Sequence, residues 1–295
     1  MNNSNIPEWF QKSSTPLSLA RYPGGKGHNA KKINQYIPNG NIYLEPYCGM
    51  ASLFAMQTKF AAYALNDIDQ HIITLMRVLQ NEQQYQELMR RLIYTPYSVD
   101  EFAKAIEIYT SKTEDNPIIK SWAFLVKQIQ GFSGISKTKG NWGRSLQANN
   151  NGMILYNYWQ KKIANLNWWH EKLMGVYLDN KDALEFIPYW DATDNVFYID
   201  PPYIKSTRLT TTRDIYHNES DDEHHKELVN ILTSLKGKAV LSCYDSPIYD
   251  LLLEHGWKKQ HFSSAVSMAS KARGTKYHGG KESSPRSMET IYIKE

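Results

Sequence analysis

The period of apolar and polar positions changes twice along the chain, and the changes divide it into three parts. Two short apolar runs, Ile42-Tyr43-Leu44 and Tyr63-Ala64-Leu65, read as strands ending at Glu45-Pro46 and Asn66-Asp67. Helix-period segments follow them at about 51–59 and 72–80. Strand, turn, helix and strand, with acids at the strand ends, is the opening of a doubly wound parallel sheet. From about residue 84 the pattern turns helical, at 85–92, 99–109 and 118–129. A Gly/Ser/Asn-rich stretch at 131–152 then reads as a loop or hairpin, and a further helix carries Trp159, Trp168 and Trp169. Strand period returns at Val176-Tyr177-Leu178, 196–199 and 239–242; helices are expected at 222–235 and 247–255, and a last strand at 289–293. The fold class is therefore α/β, with a sheet formed by 1–83 and 173–295 and a mainly helical insert at 84–172.

A chain of 295 residues can bury a sizeable core. No apolar run is long enough to span a bilayer, and the start lacks the basic-then-apolar pattern of a signal peptide. The two cysteines, Cys48 and Cys243, have no metal-ligand spacing and read as reduced thiols of a cytoplasmic protein. Net charge is only +4, but its distribution is uneven. Lys271, Arg273, Lys276, Lys281 and Arg286 face one acid, Glu282, and Lys137, Lys139 and Arg144 flank Trp142 with no acid among them. Basic residues interleaved with Gly, Ser and an aromatic suit a phosphate backbone beside stackable bases. Two solvated loops account for the same pattern.

Candidate chemistry gathers at the strand ends. Asp200-Pro201-Pro202-Tyr203 directly follows the apolar run 196–199, at the place where open α/β sheets bind ligands. The prolines fix the backbone and withhold two N–H donors, leaving carbonyls to face a substrate. The amino group of a purine or pyrimidine is a poor nucleophile, because its lone pair is delocalised into the ring. If an Asp200 oxygen and the Pro201 carbonyl accept its hydrogens, the nitrogen is drawn toward tetrahedral geometry and its lone pair is aimed at an electrophile. Tyr203 offers a face on which a base can stack.

Glu45-Pro46-Tyr47-Cys48-Gly49 leaves the first strand, and Gly49 would let the backbone approach a ligand near a helix start. Ala51 stands where a dinucleotide fingerprint needs glycine, and a plain strand-to-helix turn explains the segment equally well. Asp67, at the end of the second strand, can accept both hydroxyls of a ribose; taken alone it would cap a helix from Ile68. Tyr22-Pro23-Gly24-Gly25-Lys26 fails P-loop spacing but places an aromatic, two glycines and a cation where they could cover an amino-acid-bearing nucleoside. The cluster from His217 to His225 lacks H-E-x-x-H spacing and fits a capped helix start, so no metal is expected.

Taken together and in this order, these strings resemble the Dam-like DNA adenine-N6 methyltransferases of the α arrangement. The specific part of the match covers Tyr22 to Lys26, Leu44 to Phe54, Asn66-Asp67 and Tyr198 to Tyr203. The resemblance implies a Rossmann-like S-adenosylmethionine-dependent sheet and a helical target-recognition insert carrying a hairpin. It also implies methylation of adenine N6 in double-stranded DNA after base flipping. Tyr22 and Lys26 would contact S-adenosylmethionine, Glu45 and Gly49 would line its methionine end, and Asp67 would hold its ribose. Asp182 would lie near its adenine. Asp200 would serve both cofactor and target amine, with Pro201, Pro202 and Tyr203 around the base. Lys137, Lys139, Trp142 and Arg144 would probe the groove, while Lys271, Arg273 and Lys276 would hold phosphates. A restriction endonuclease is the partner such an enzyme takes in a restriction-modification setting. Relatives that read GATC carry Phe-Asn-Gly with an arginine soon after; here Phe132-Ser133-Gly134 stands in its place and the first arginine is Arg144. Alternatives are methylation of cytosine N4 or of RNA, and a catalytically silent nucleic-acid-binding module on the same scaffold.

Overall fold

A computed structural model describes residues 18–20, 26, 29–131, 142–143, 155–202, 222–263 and 288–295. The chain divides into two compact units, one of residues 26–48, 56–68 and 179–295, the other of 1–25, 49–55 and 69–178.

The first of these is built on a sheet. Its strands are β1 (Ile42–Glu45), β2 (Ala62–Asn66), β4 (Asn195–Ile199), β5 (Lys238–Tyr244), β6 (Lys258–Ser263) and β7 (Met288–Lys294), and β3 (Tyr177–Asp179) enters this unit at Asp179. The order is β3-β2-β1-β4-β5-β7-β6. β1 runs parallel to β2 and β4, and β4 to β5, whereas β7 runs antiparallel to both β5 and β6. β4 is buried along its whole length, which is why Val196-Phe197-Tyr198-Ile199 reads as a continuous apolar run and not an alternation. The helices are α1 (Ala30–Ile33), α7 (Ala183–Trp190), α8 (Asp222–Thr233) and α9 (Leu251–Glu254). Leu228, Val229 and Leu232 of α8 recur at helical spacing and bury against Phe197, Leu241 and Tyr292. This is the Rossmann-like methyltransferase sheet expected from the sequence.

The other unit holds α2 (Gln70–Gln80), α3 (Glu82–Ile93), α4 (Val99–Thr110), α5 (Pro117–Gln130) and α6 (Leu155–Leu173). Four of these begin at side-chain caps: Asp69, Asn81, Ser98 and Asn116 each accept from a backbone N–H in the first turn. Trp159 and Trp169 of α6 are buried, so they serve the core. Trp122 of α5 is buried too and donates from its indole nitrogen to Thr95 Oγ1 at 2.8 Å.

Three expectations change. No α-helix spans 51–59; a single 3-10 turn, Phe54–Met56, takes its place. Gly49 and Ala51 both sit at φ +47°, a left-handed conformation from which a right-handed helix cannot continue, so no helix N-terminus stands at this turn. The helix at 247–255 is broken into a 3-10 turn, Pro247–Tyr249, and α9. β6, α7 and α1 were not foreseen.

Candidate active site

The parallel strands deliver their acids to one end of the sheet, that of their carboxyl termini. Glu45 pairs with Leu65 of β2, and Leu44 pairs with Phe197 of β4. Asp67, Glu45 and Asp200 therefore leave the carboxyl ends of three adjacent strands.

Glu45 is only 1% exposed, and its Oε1 accepts from the Tyr43 hydroxyl at 2.7 Å. A buried carboxylate is tolerated when it is hydrogen-bonded. Burial, and after it the Glu45 charge, push the Tyr43 phenol well above its ordinary pKa, so it remains a donor. Asp200 faces Lys26: Nζ lies 3.0 Å from Oδ1, at exposures of 8% for the lysine and 17% for the aspartate. Lys26 is held at the entry to α1, where its carbonyl accepts from the N–H groups of Asn29 and Ala30, both at 2.7 Å. A lysine predicted from one motif and an aspartate predicted from another, far apart in sequence, are thus brought into a charge-assisted contact.

Asp67 is half-buried; its N–H reaches the Asp179 carbonyl at 3.4 Å, and its own carbonyl accepts from Asn180 Nδ2 at 2.7 Å. It does not cap the helix that follows. Asp69 does so instead, accepting from the His71 N–H at 3.0 Å. Asp182 caps α7, accepting from the Leu184 N–H at 2.8 Å. The neighbouring loops are tied by Asn66, whose side chain donates to the carbonyls of Pro46 (2.8 Å) and Lys181 (3.0 Å) and accepts from the Lys181 N–H (2.9 Å). Tyr47 shares a hydrogen bond with His224 Nε2 at 2.8 Å. Its phenol is pushed well up by burial first and then by the charges of Asp182 and Asp67, which places those two carboxylates within electrostatic reach of one ring.

At the prolines, Pro201 is buried and Pro202 half-buried. The Pro202 carbonyl is met by His225 Nε2 at 3.0 Å, and His225 Nδ1 by the Tyr249 hydroxyl at 2.9 Å. Cys243 lies in the same neighbourhood. Burial pushes its thiol well up, and the nearby Lys26 and Asp200 charges act on it in opposite senses. Both cysteines are buried and neither is in a disulfide, which suits structural thiols and not nucleophiles.

The structure thus brings together Lys26 and Asp200, with Glu45 and Asp67 on the adjoining strand ends and Asp182 on the next loop. Gly49 and Trp142 belong to the other unit. There, Trp142 makes an antiparallel bridge with Gly131, and its ring tilts against Tyr97 at 5.5 Å. Tyr22, Tyr203, Lys137, Lys139, Arg144, Lys271, Arg273 and Lys276 lie outside the described residues. Asn66, Tyr47 and Tyr249 were given no role from sequence, and His224 and His225 only a place in a capped helix start. Among the described residues no three His, Cys, Asp or Glu side chains are grouped to hold a metal ion, and no helix is long and apolar enough to cross a membrane.

Known proteins resemble this chain over most of its length. The chain is similar to a protein of Salmonella typhi named DNA adenine methylase, 24% identical over 242 residues that cover 78% of this chain and 82% of the relative. A protein of the same name from Escherichia coli K12 is 23% identical over 207 residues, 69% of this chain and 70% of that one. A DNA N-6-adenine-methyltransferase of Escherichia phage P1 is 22% identical across 73% of this chain and 28% of its own length. The family profile described as D12 class N6 adenine-specific DNA methyltransferase matches residues 22–265. With Asp67, Glu45 and Asp200 set at the carboxyl ends of β2, β1 and β4 in a methyltransferase sheet, the chain belongs to the D12 class N6 adenine-specific DNA methyltransferase family.

Proposed function

We propose that the chain methylates adenine N6 in double-stranded DNA, with S-adenosylmethionine as donor, on a base rotated out of the duplex. The observation that carries this reading is Asp200 at the carboxyl end of β4, paired with Lys26 at 3.0 Å and continued by two prolines. Paired with an ammonium, the carboxylate has lone pairs to offer and no hydrogen to give, which suits an acceptor for an amine.

The set of acceptors suits the cofactor. Hydroxyls and an ammonium group need acceptors, and Asp67, Glu45 and Asp200 supply them from adjacent strand ends. Asp67 would accept from the ribose hydroxyls, and Glu45, Gly49, Lys26 and Tyr22 would line the methionine end. Asp182 would lie toward the adenine. When bound, S-adenosylmethionine supplies a methyl group activated by a sulfonium. Asp200 and the Pro201 carbonyl would accept the two N6 hydrogens and so localise the lone pair on nitrogen. The N–C bond would form as the methyl–sulfur bond breaks, the neutral thioether leaving with that electron pair and one N6 proton passing to solvent. Tyr203 and Pro202 would bound the space occupied by the base. Neither cysteine takes part.

Residues 84–172 would form the target-recognition part, with Lys137, Lys139, Trp142 and Arg144 at the DNA groove and Lys271, Arg273 and Lys276 on phosphates. The setting would be cytoplasmic DNA, with a restriction endonuclease as partner where the enzyme serves a restriction-modification system. The test is nucleoside analysis of unmethylated DNA treated with the protein and isotopically labelled S-adenosylmethionine. Labelled 6-methyladenine is expected; label in 4-methylcytosine alone, or none in DNA, overturns the reading.

A further inference from the structure

The loop that presents Asp200 contains two consecutive residues without an N–H, so it cannot tether itself through backbone donors there. The tether comes from a side chain. His225, in the first turn of α8, is completely buried, and both of its ring nitrogens are engaged. We propose that His225 is a positioning residue for methyl transfer, fixing the Pro202 carbonyl, and through it the Pro201 carbonyl and Asp200, in the geometry the amine requires. This rests on the function proposed above.

The protonation pattern follows from the partners. A carbonyl can only accept, so Nε2 carries the ring hydrogen and donates to Pro202 at 3.0 Å. In a neutral imidazole Nδ1 is then an acceptor, and the Tyr249 hydroxyl donates to it at 2.9 Å. Tyr249 is well suited to donate. Burial first, then the neighbouring Cys243, push its phenol far above the ordinary range, so its hydrogen stays in place. Tyr249 itself is buried among the core residues of the sheet, where it packs against Tyr292 at 5.8 Å. The chain of contacts runs from rigid core to Tyr249, to His225, to the prolines. Both histidines of the pair point at the candidate site, since His224 holds Tyr47 of the loop after β1 while His225 holds the loop after β4.

A histidine that only fills the core would affect folding and leave the chemical step alone, so the two roles separate experimentally. The measurement is the single-turnover rate of 6-methyladenine formation on unmethylated DNA of mixed sequence at saturating S-adenosylmethionine. It is made on wild type, His225→Leu, His225→Gln and Tyr249→Phe, with cofactor affinity by calorimetry and thermal midpoints alongside. His225→Leu removes the donor and should slow transfer about 10- to 100-fold, the scale of a small misplacement of reacting groups. His225→Gln places an N–H where Nε2 stood and should restore most of that rate. Tyr249→Phe frees the ring to reverse its tautomer and should fall between them, and cofactor affinity should weaken far less than the rate in all three. A wild-type rate in His225→Leu overturns the proposal, as does a slow His225→Gln whose thermal midpoint is unchanged. If His225→Leu does not fold, Tyr249→Phe decides: a wild-type rate there overturns it. Absence of 6-methyladenine with the wild-type protein would instead defeat the functional reading, which keeps the two failures apart.

Discussion

Asp200 and Lys26 form a pair whose two halves do different work, and substitution can separate them. Asp200→Asn keeps the shape, but puts an NH2 group where one acceptor oxygen stood and leaves Lys26 without its counter-charge. Because the acceptor acts on the reacting nitrogen, the transfer rate should fall on the order of 10²–10³-fold or more. Cofactor binding measured by calorimetry should weaken far less, and near-full activity would refute the role. Asp200, Glu45, Asp67 and Lys26 were legible because each is the chemically demanding residue of a short local string. Asn66 and His225 were not, because their partners are backbone atoms 115 and 23 residues away, and a backbone atom leaves no mark in sequence. For Asn66 the consequence is measurable. Asn66→Ala strips partners from two carbonyls and one N–H, and should destabilise the protein by about 2–4 kcal/mol. Urea unfolding with an unchanged m-value would show it; a loss under about half a kcal/mol would mean that water or a shift of the loop replaces those bonds.

The helices of the 69–178 unit were the most readable elements, since their apolar period is long and each capped entry carries its own signal. Asn116 illustrates both features: its side chain accepts from the N–H groups of Ile118 and Ile119, and Pro117 occupies the first helical position. Asn116→Ala should cost about 1 kcal/mol, read as a lowered thermal midpoint, while Asn116→Asp should retain most of the stability. The failures also have physical causes. The 51–59 segment has helical periodicity, but two left-handed residues at its head divert the backbone, and periodicity does not report φ. β6 opens Lys258-Lys259-Gln260 and stands at the edge of the sheet, where charged residues replace the apolar alternation that announces a strand. α7 is eight residues long and contains Pro188, too short and too interrupted to show a period.

At the scale of the whole molecule, the strand order explains why separate motifs serve one purpose. From β1 the chain moves outward to β2 and β3, then returns to place β4 on the other side of β1. The reversal leaves a crevice at the carboxyl ends of β1 and β4, the switch point at which such sheets bind ligands, and Glu45 and Asp200 stand there. Fold class and the acids at the crevice could therefore be inferred from alternation and strand-end residues alone, whereas the insertion of antiparallel β7 between β5 and β6 could not. DNA binding is a property of the same scale, because a net charge of +4 is modest and affinity must come from local runs of lysine and arginine. If Lys139 and Arg144 each neutralise a phosphate, the double substitution to alanine should weaken binding to duplex DNA and reduce the slope of log K against log salt by about two. Its affinity for S-adenosylmethionine should not change, because the proposed cofactor residues are on other segments of the chain. Titrations at several salt concentrations measure the slope directly. An unaltered slope would remove these two residues from the DNA-binding face, and would shift the assignment to Lys271, Arg273 and Lys276, whose triple substitution would then be expected to carry the loss.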